Sequence, residues 1–408
     1  MAVKVTKPKV NLRQKLTELD IPKGVHGTQV LESQTAGETF ELVKAGRKNL
    51  LINGEMRINQ RGNVTGVTGN QYGGPDRWKT MLASCGTWGI SQSTDVPIGQ
   101  GFKKSLRLDC EASRATLAAG SSLSIAQYIE GQDLAHLGWG YPKAKDLTLS
   151  FWLKTDNGVT GTFVVYIRNH GGGTCLNRQV RVRDQGYWNK YVVNIPADRT
   201  NQFTYDHSKQ LELAFHFDAG TNLGGAASGG SMLNTWLAYH AAHTAVGCDL
   251  RLASSTGNNL YITGVQLEEG SESTPYQHLT YGEELKLCER YYEVHWQNTN
   301  ASNPAGSHGD GFNAVASGGI SGSKAYFPIR WRTQKRAQPA LSYGGKFRVS
   351  GGGSTSNVEP DEFYSPSIDG GRIRTPHSGS GSTGQATWLE YDQTNGANSG
   401  YFRVDSEL

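Results

Sequence analysis

The apolar residues of this chain recur with a period of two. Leu147, Leu149, Phe151 and Leu153 alternate with Thr148, Ser150, Trp152 and Lys154, and Leu211, Leu213, Phe215 and Phe217 alternate with Glu212, Ala214, His216 and Asp218. Successive side chains of a strand point to opposite faces, so this is the pattern of half-buried antiparallel strands. Leu50–Gln60, Ser105–Cys110, Phe163–Arg168, Gln179–Arg183, Tyr191–Ile195 and Leu260–Leu267 read the same way, separated by Gly, Asn, Asp and Pro. No helical pattern alternates with these strands, which argues against a parallel α/β sheet. The expected fold is all-β, an antiparallel jelly-roll sandwich over residues 47–280.

The texture changes beyond that. Over Tyr281–Tyr292, Leu285, Leu287 and Cys288 give one short helix an apolar face, which predicts a helical brace at 281–294. Gly/Ser-rich loops at 301–323, 350–356 and 378–384 then separate strand candidates at Ala325–Arg332, Ala340–Tyr343, Ala386–Tyr391 and Tyr401–Val404. In the first of these, Ala325, Phe327, Ile329 and Trp331 share a face. A second, smaller β-sandwich is expected over 295–408.

The net charge of +4 rests on Lys+Arg 40 against Asp+Glu 36. The whole excess lies in the first 48 residues, so the chain reads as a neutral body carrying a basic arm at 1–46. A nucleic-acid binder would need a denser basic face on its folded part. Within the arm, Leu12, Leu16 and Leu19 suggest one short amphipathic helix, and Phe40 and Leu42 a further turn. Pieces so short are not stable alone and dock either on the chain's own body or on a partner; a partner is expected, because the arm precedes the first convincing strand. The arm is therefore expected to be partly helical, with those five residues as its anchoring side chains.

No apolar stretch approaches the roughly 18 to 20 residues that a spanning helix needs, and Met1–Pro8 lacks the apolar run of a signal peptide. Neither membrane insertion nor signal-directed export is expected. The five cysteines lie far apart without a C-x-x-C pair, which reads as buried free thiols made in a reducing cytoplasm.

The chain holds no phosphate loop, no H-E-x-x-H and no G-x-S-x-G. His240 and His243 are spaced for one helix face but have no third ligand nearby in sequence. The adjacent acids Glu268–Glu269 and Asp361–Glu362 point to opposite faces of a strand, whereas a glycosidase pair must converge. No enzyme, metal or cofactor is expected; a structural Ca²⁺ held by loop oxygens is compatible with the composition, but no ligand pattern supports it. Trp139, Tyr141, Trp236 and Tyr239 lie in Gly- or Ala-flanked stretches, where an exposed ring could stack on a sugar or a partner. Trp78, Trp152 and Trp188 lie in or beside strands and are expected to fill or brace the sandwich.

Arg47–Gly62 (RKNLLINGEMRINQRG), Asp76–Trp78 (DRW), LTLSFWLKT at 147–155, YW at 187–188 and YITGVQLEEGSESTPYQHLTYGEELKLCERYYEV at 261–294 occur in order over this region. Together they resemble tailed-bacteriophage fibre-type virion proteins with a carbohydrate-binding-module-like jelly roll. FPIRWRTQKRAQP at 327–339 and the ending YFRVDSEL resemble the small terminal sandwich of such proteins, and the arm is similar to their leaders in phages of marine bacteria, including cyanobacteria. The resemblance implies a structural protein of the virion, made in the bacterial cytoplasm, homotrimeric and joined to other virion proteins through its arm. It also implies either a tail fibre or appendage attaching to host surface polysaccharide, or a head decoration, head fibre or tail adaptor with a purely structural role.

Overall fold

A computed structural model describes residues 48–182, 184–224, 233–295, 324–344, 347–350, 354–360, 362–364, 366–376, 388–391 and 401–408. The arm with Leu12, Leu16, Leu19, Phe40 and Leu42, and the Gly/Ser loops at 301–323 and 378–384, lie outside the described residues. Asn49–Leu408 is one compact unit.

Its first part is the expected antiparallel sandwich. The strands in chain order are β1 (Val64–Val67), β2 (Gln71–Tyr72), β3 (Lys79–Ala83), β4 (Thr87–Ser93), β5 (Ser105–Ala112), β6 (Ser122–Glu130), β7 (Leu147–Thr155), β8 (Gly161–Asn169), β9 (Thr174–Val182), β10 (Asn189–Ile195), β11 (Lys209–Ala219), β12 (Leu237–Ala238) and β13 (Asn259–Glu269). Sheet A runs β1-β4-β5-β13-β7-β10 and sheet B runs β12-β9-β8-β11-β6-β3-β2. The alternation decides what lies between them. Leu149, Phe151 and Leu153 of β7 face Phe163, Val165, Phe215 and Phe217 of sheet B in one dry core. Phe151 meets Phe215 edge-on at 5.0 Å between centroids, and Trp78 fills the space beside Phe215.

Leu50–Gln60 is not a strand. Asn53 and Met56 adopt φ of 58° and 60°, and the Asn53 side chain bonds both the backbone NH and the carbonyl of Ile58. The Asn-Gly turn therefore overrides the apolar run. Leu51, Ile52, Met56 and Ile58 are still buried, now as a coil packed on the sandwich.

The helix α1 (Tyr281–Glu289) starts where expected and stops before Tyr292. Thr280 and Glu283 close a capping box at its N-terminus. After it come β14 (Tyr292–His295), β15 (Lys324–Arg330), β16 (Ala340–Gly344), β17 (Phe347–Ser350), β18 (Ser354–Val358), β19 (Glu362–Tyr364), β20 (Gly370–Pro376), β21 (Trp388–Tyr391) and β22 (Tyr401–Asp405). They pair as three small antiparallel sheets, β14-β22-β16, β15-β20-β19 and β18-β17-β21. Ala325, Phe327, Ile329 and Trp331 supply one side of their shared core, with Phe347, Val349, Phe402 and Val404 opposite.

The junction between the two β parts is polar and buried. Glu130 accepts two hydrogen bonds from Arg290, both at 2.8 Å, and one from the Tyr291 hydroxyl at 2.5 Å. Arg77 pairs with Glu407 while its guanidinium carbon lies 3.4 Å above the Tyr291 ring. All five cysteines are buried as free thiols. Among the described residues no helix is long and apolar enough to cross a membrane.

Candidate functional site: an aromatic groove on the outer face of sheet A

The solvent register of β7 carries Thr148, Ser150, Trp152 and Lys154, because Leu149, Phe151 and Leu153 take the core register. Trp152 is thus placed on the outside of sheet A, opposite Lys190 of β10 and Thr263 of β13. A groove of about 490 Å³ opens beside it, lined by Ser150, Trp152, Lys190 and Gly264 from the strands and by Gln100, Phe102, Thr274, Tyr276 and His278 from two loops.

Local chemistry fixes those loops. The register of β13 shifts between Thr263 and Gln266, and within this bulge Gly264 has φ +62° with the Phe102 ring lying on it. A Cβ there would stand 2.5 Å from the ring, so both the backbone conformation and the close approach require glycine. Glu268 accepts from the Thr274 amide at 2.8 Å and from its hydroxyl at 2.6 Å, while the Gln266 side-chain Oε1 accepts from the Gln277 backbone amide at 2.8 Å. These bonds pin the 270–280 loop to β13. Phe102, Tyr276 and His278 then pack mutually, with centroids 5.1 to 5.5 Å apart. Burial raises the Tyr276 hydroxyl well above the usual tyrosine range, so it stays protonated. The His278 Nδ1 lies 2.9 Å from the buried Glu55 carboxylate.

Such a groove offers a flat indole for the apolar face of a ring, with amide, hydroxyl, imidazole and ammonium groups around it for hydroxyls. None of its lining residues is a carboxylate, and hydrolysis of a glycosidic bond in the usual way needs two.

The four aromatics expected to be exposed fare differently. Trp139 is fully buried, stacked on Phe203 at 4.8 Å, and its indole NH donates to the Lys145 carbonyl. The flanking glycines were the misleading feature: Gly138 and Gly140 have φ of 61° and 90°, and the loop folds back to insert the indole into the core. Trp236 packs edge-on against Trp139 at 5.2 Å and donates to the Pro196 carbonyl, so it is a half-buried brace. Tyr141 and Tyr239 are exposed, at 52 % and 42 %. The Tyr239 ring is capped by the Arg168 guanidinium, whose carbon is 3.5 Å from its centroid. Among the described residues no ring contact joins Tyr141 or Tyr239 to Trp139 or Trp236. Of the strand tryptophans, Trp78 fills the core and Trp188 braces sheet A through Asp95, but Trp152 lines the groove. The rings of His240 and His243 are 5.5 Å apart. Among the described residues no group of three or more His, Cys, Asp or Glu is placed to hold a metal ion.

No protein-family profile matches the chain. No curated protein sequence matches it either. Solved structures similar to it include the enzymatically active domain of tailspike protein 4 of bacteriophage CBA120, with a TM-score of 0.29 and 14 % identity over 54 % of this chain and 21 % of that one. TmCBM61 in complex with β-1,4-galactotriose aligns with a TM-score of 0.28 and 11 % identity over 55 % of this chain and 100 % of the module. The xylan-binding CBM22-1 domain of Paenibacillus barcinonensis Xyn10C gives 0.24 and 10 %, over 56 % and 100 %. These likenesses are loose, and the tailspike match spans about a fifth of that chain.

Proposed function

We propose that this chain binds a glycan in the Trp152 groove, without cleaving it, as a virion protein of a tailed phage whose role is attachment to host surface polysaccharide. The observation that carries the binding half is the indole of Trp152 on the polar register of β7, set in a groove lined by Gln100, Ser150, Thr274 and His278 and by no carboxylate. The virion half is supported by the resemblance of residues 261–294, and of the arm, to fibre-type proteins. A homotrimer joined to the particle through its arm would present three grooves at once, and the effective concentration of linked sites compensates for weak single contacts.

The test is binding of the purified full chain to host surface polysaccharide, compared with Trp152→Ala. Loss of a central tryptophan contact costs about 2 kcal/mol or more, so affinity should fall by about 30-fold while the melting temperature stays within about 2 °C, as for an outward-facing side chain. Equal binding by both proteins contradicts the groove. Release of reducing ends from the polysaccharide contradicts a non-catalytic role, and density for the protein on the head of the intact particle contradicts tail attachment.

A further inference from the structure

Strands β9 and β10 are both edges. Among the described residues β10 pairs only with β7, and β12 covers β9 only at Thr174 and Cys175. Further along β9 the Asn177 carbonyl takes one bond from the Asn234 amide. Among the described residues the sandwich is therefore open on this side, and a second groove of about 650 Å³ lies there.

Its lining breaks the pattern of the fold. The register Phe163↔Val180, Val165↔Arg178 and Ile167↔Leu176 puts Arg178 in the inward row of β9, between Leu176 and Val180, where every neighbour on the facing strand is a core residue. Arg178 is half-buried, and a charge costs free energy to the extent that it is desolvated without compensation. Among the described residues Arg178 makes one short bond, to the Asn234 side chain, and its Nε has no acceptor; burial pulls its pKa down. Arg181 and Lys190 line the same groove from exposed positions, and among the described residues none of the three cations forms an ion pair. Asp184 is the one acid in the lining. An inward charge on an edge strand also blocks the addition of another strand. That role needs Arg178 alone and leaves Arg181 and Lys190 unexplained.

The two grooves share one lining residue. Lys190 lines both, and it stands directly opposite Trp152 in the β10–β7 register. We propose that the ligand is an anionic glycan, with a sugar ring stacked on Trp152 and its carboxylate, sulfate or phosphate groups held past Lys190 by Arg178 and Arg181 in the open edge of the sandwich. This rests on the reading of the Trp152 groove as a glycan site and names the class of glycan.

The experiment measures affinity of the full chain for three matched pairs: polygalacturonate and its carboxyl-reduced form, dextran sulfate and dextran, and a phosphomannan before and after dephosphorylation. The charged member of at least one pair should bind at least tenfold more tightly, with affinity falling as salt rises, and which pair responds identifies the anionic group. The triple variant Arg178→Gln, Arg181→Gln, Lys190→Gln should lose that advantage, whereas Lys143→Gln, Lys209→Gln, Lys286→Gln, which removes the same charge from exposed sites elsewhere, should keep it. Equal losses in both triple variants would overturn the proposal. Trp152-dependent binding with no preference for the charged member would overturn it and leave the glycan site standing, and absence of binding to every member would overturn both.

Discussion

Asp218 and His216 stand two residues apart on β11, and burial moves their titrations in opposite directions. The Asp218 carboxyl, whose Oδ2 accepts from the Ala253 amide, is lifted to about 7, and the His216 imidazole, which makes no hydrogen bond among the described residues, is pushed down to about 4. A raised carboxyl contributes stability that is complete below its unfolded value near 4 and is lost as pH rises through 7; a lowered imidazole contributes stability that is complete above 6.5 and is lost as pH falls through 4. Asp218→Asn keeps an oxygen for Ala253 and should gain stability over the native chain at pH 8 relative to pH 5, measured by urea unfolding at both; an unchanged difference would contradict the burial argument. Single residues were the hardest part to read from sequence. The alternation in β7 already set Trp152 among Thr148, Ser150 and Lys154, and an aromatic on the polar register was the available signal for the groove. Trp139 carried the opposite signal, because flanking glycines permit a loop to fold inward as readily as to stay exposed.

Elements were legible where periodicity alone decides them. β7, β11 and the face Ala325–Trp331 follow directly from alternation, since each has one dry side. Where a local turn competes with the apolar pattern, the pattern misleads, as at Asn53–Gly54. The groove could not be assembled from sequence, because it joins residues near 100, 150, 190 and 275 that only the sandwich brings together. For α1 the cap is local and its cost can be stated: the Thr280 hydroxyl accepts from the Glu283 amide at 3.3 Å, and the Glu283 carboxylate accepts from the Thr280 amide at 2.9 Å. Thr280→Ala should lower unfolding stability by about 1 kcal/mol, read by chemical denaturation, with no effect on glycan affinity. A change below about 0.3 kcal/mol would mean that the packing of Leu285, Cys288 and Tyr291, and not the cap, holds the helix, since caps typically contribute about 1 kcal/mol.

Across the whole molecule, buried charge accompanies the turn from the helix into the second set of sheets. Glu293 and Lys335 are fully enclosed and 2.5 Å apart, with His295 on the other carboxylate oxygen. Burial alone would raise Glu293, but His295 and Lys335 outweigh it and hold the carboxyl near 2, so its contribution is complete above about 4.5 and is lost as pH falls through 2. Glu293→Gln takes the carboxylate from the buried ammonium, which keeps only the Glu289 carbonyl among the described residues, and should cost about 3 to 5 kcal/mol, most of it recovered in Glu293→Gln, Lys335→Met; additive losses in the double variant would contradict a coupled pair. Hydroxyl-radical footprinting of the full chain, with and without host surface polysaccharide, reads all nine tryptophans at once. Protection concentrated at Trp152 and Tyr276, with Tyr141 and Tyr239 unchanged, is the predicted result. Protection at Tyr141 or Tyr239 with Trp152 still reactive would contradict it.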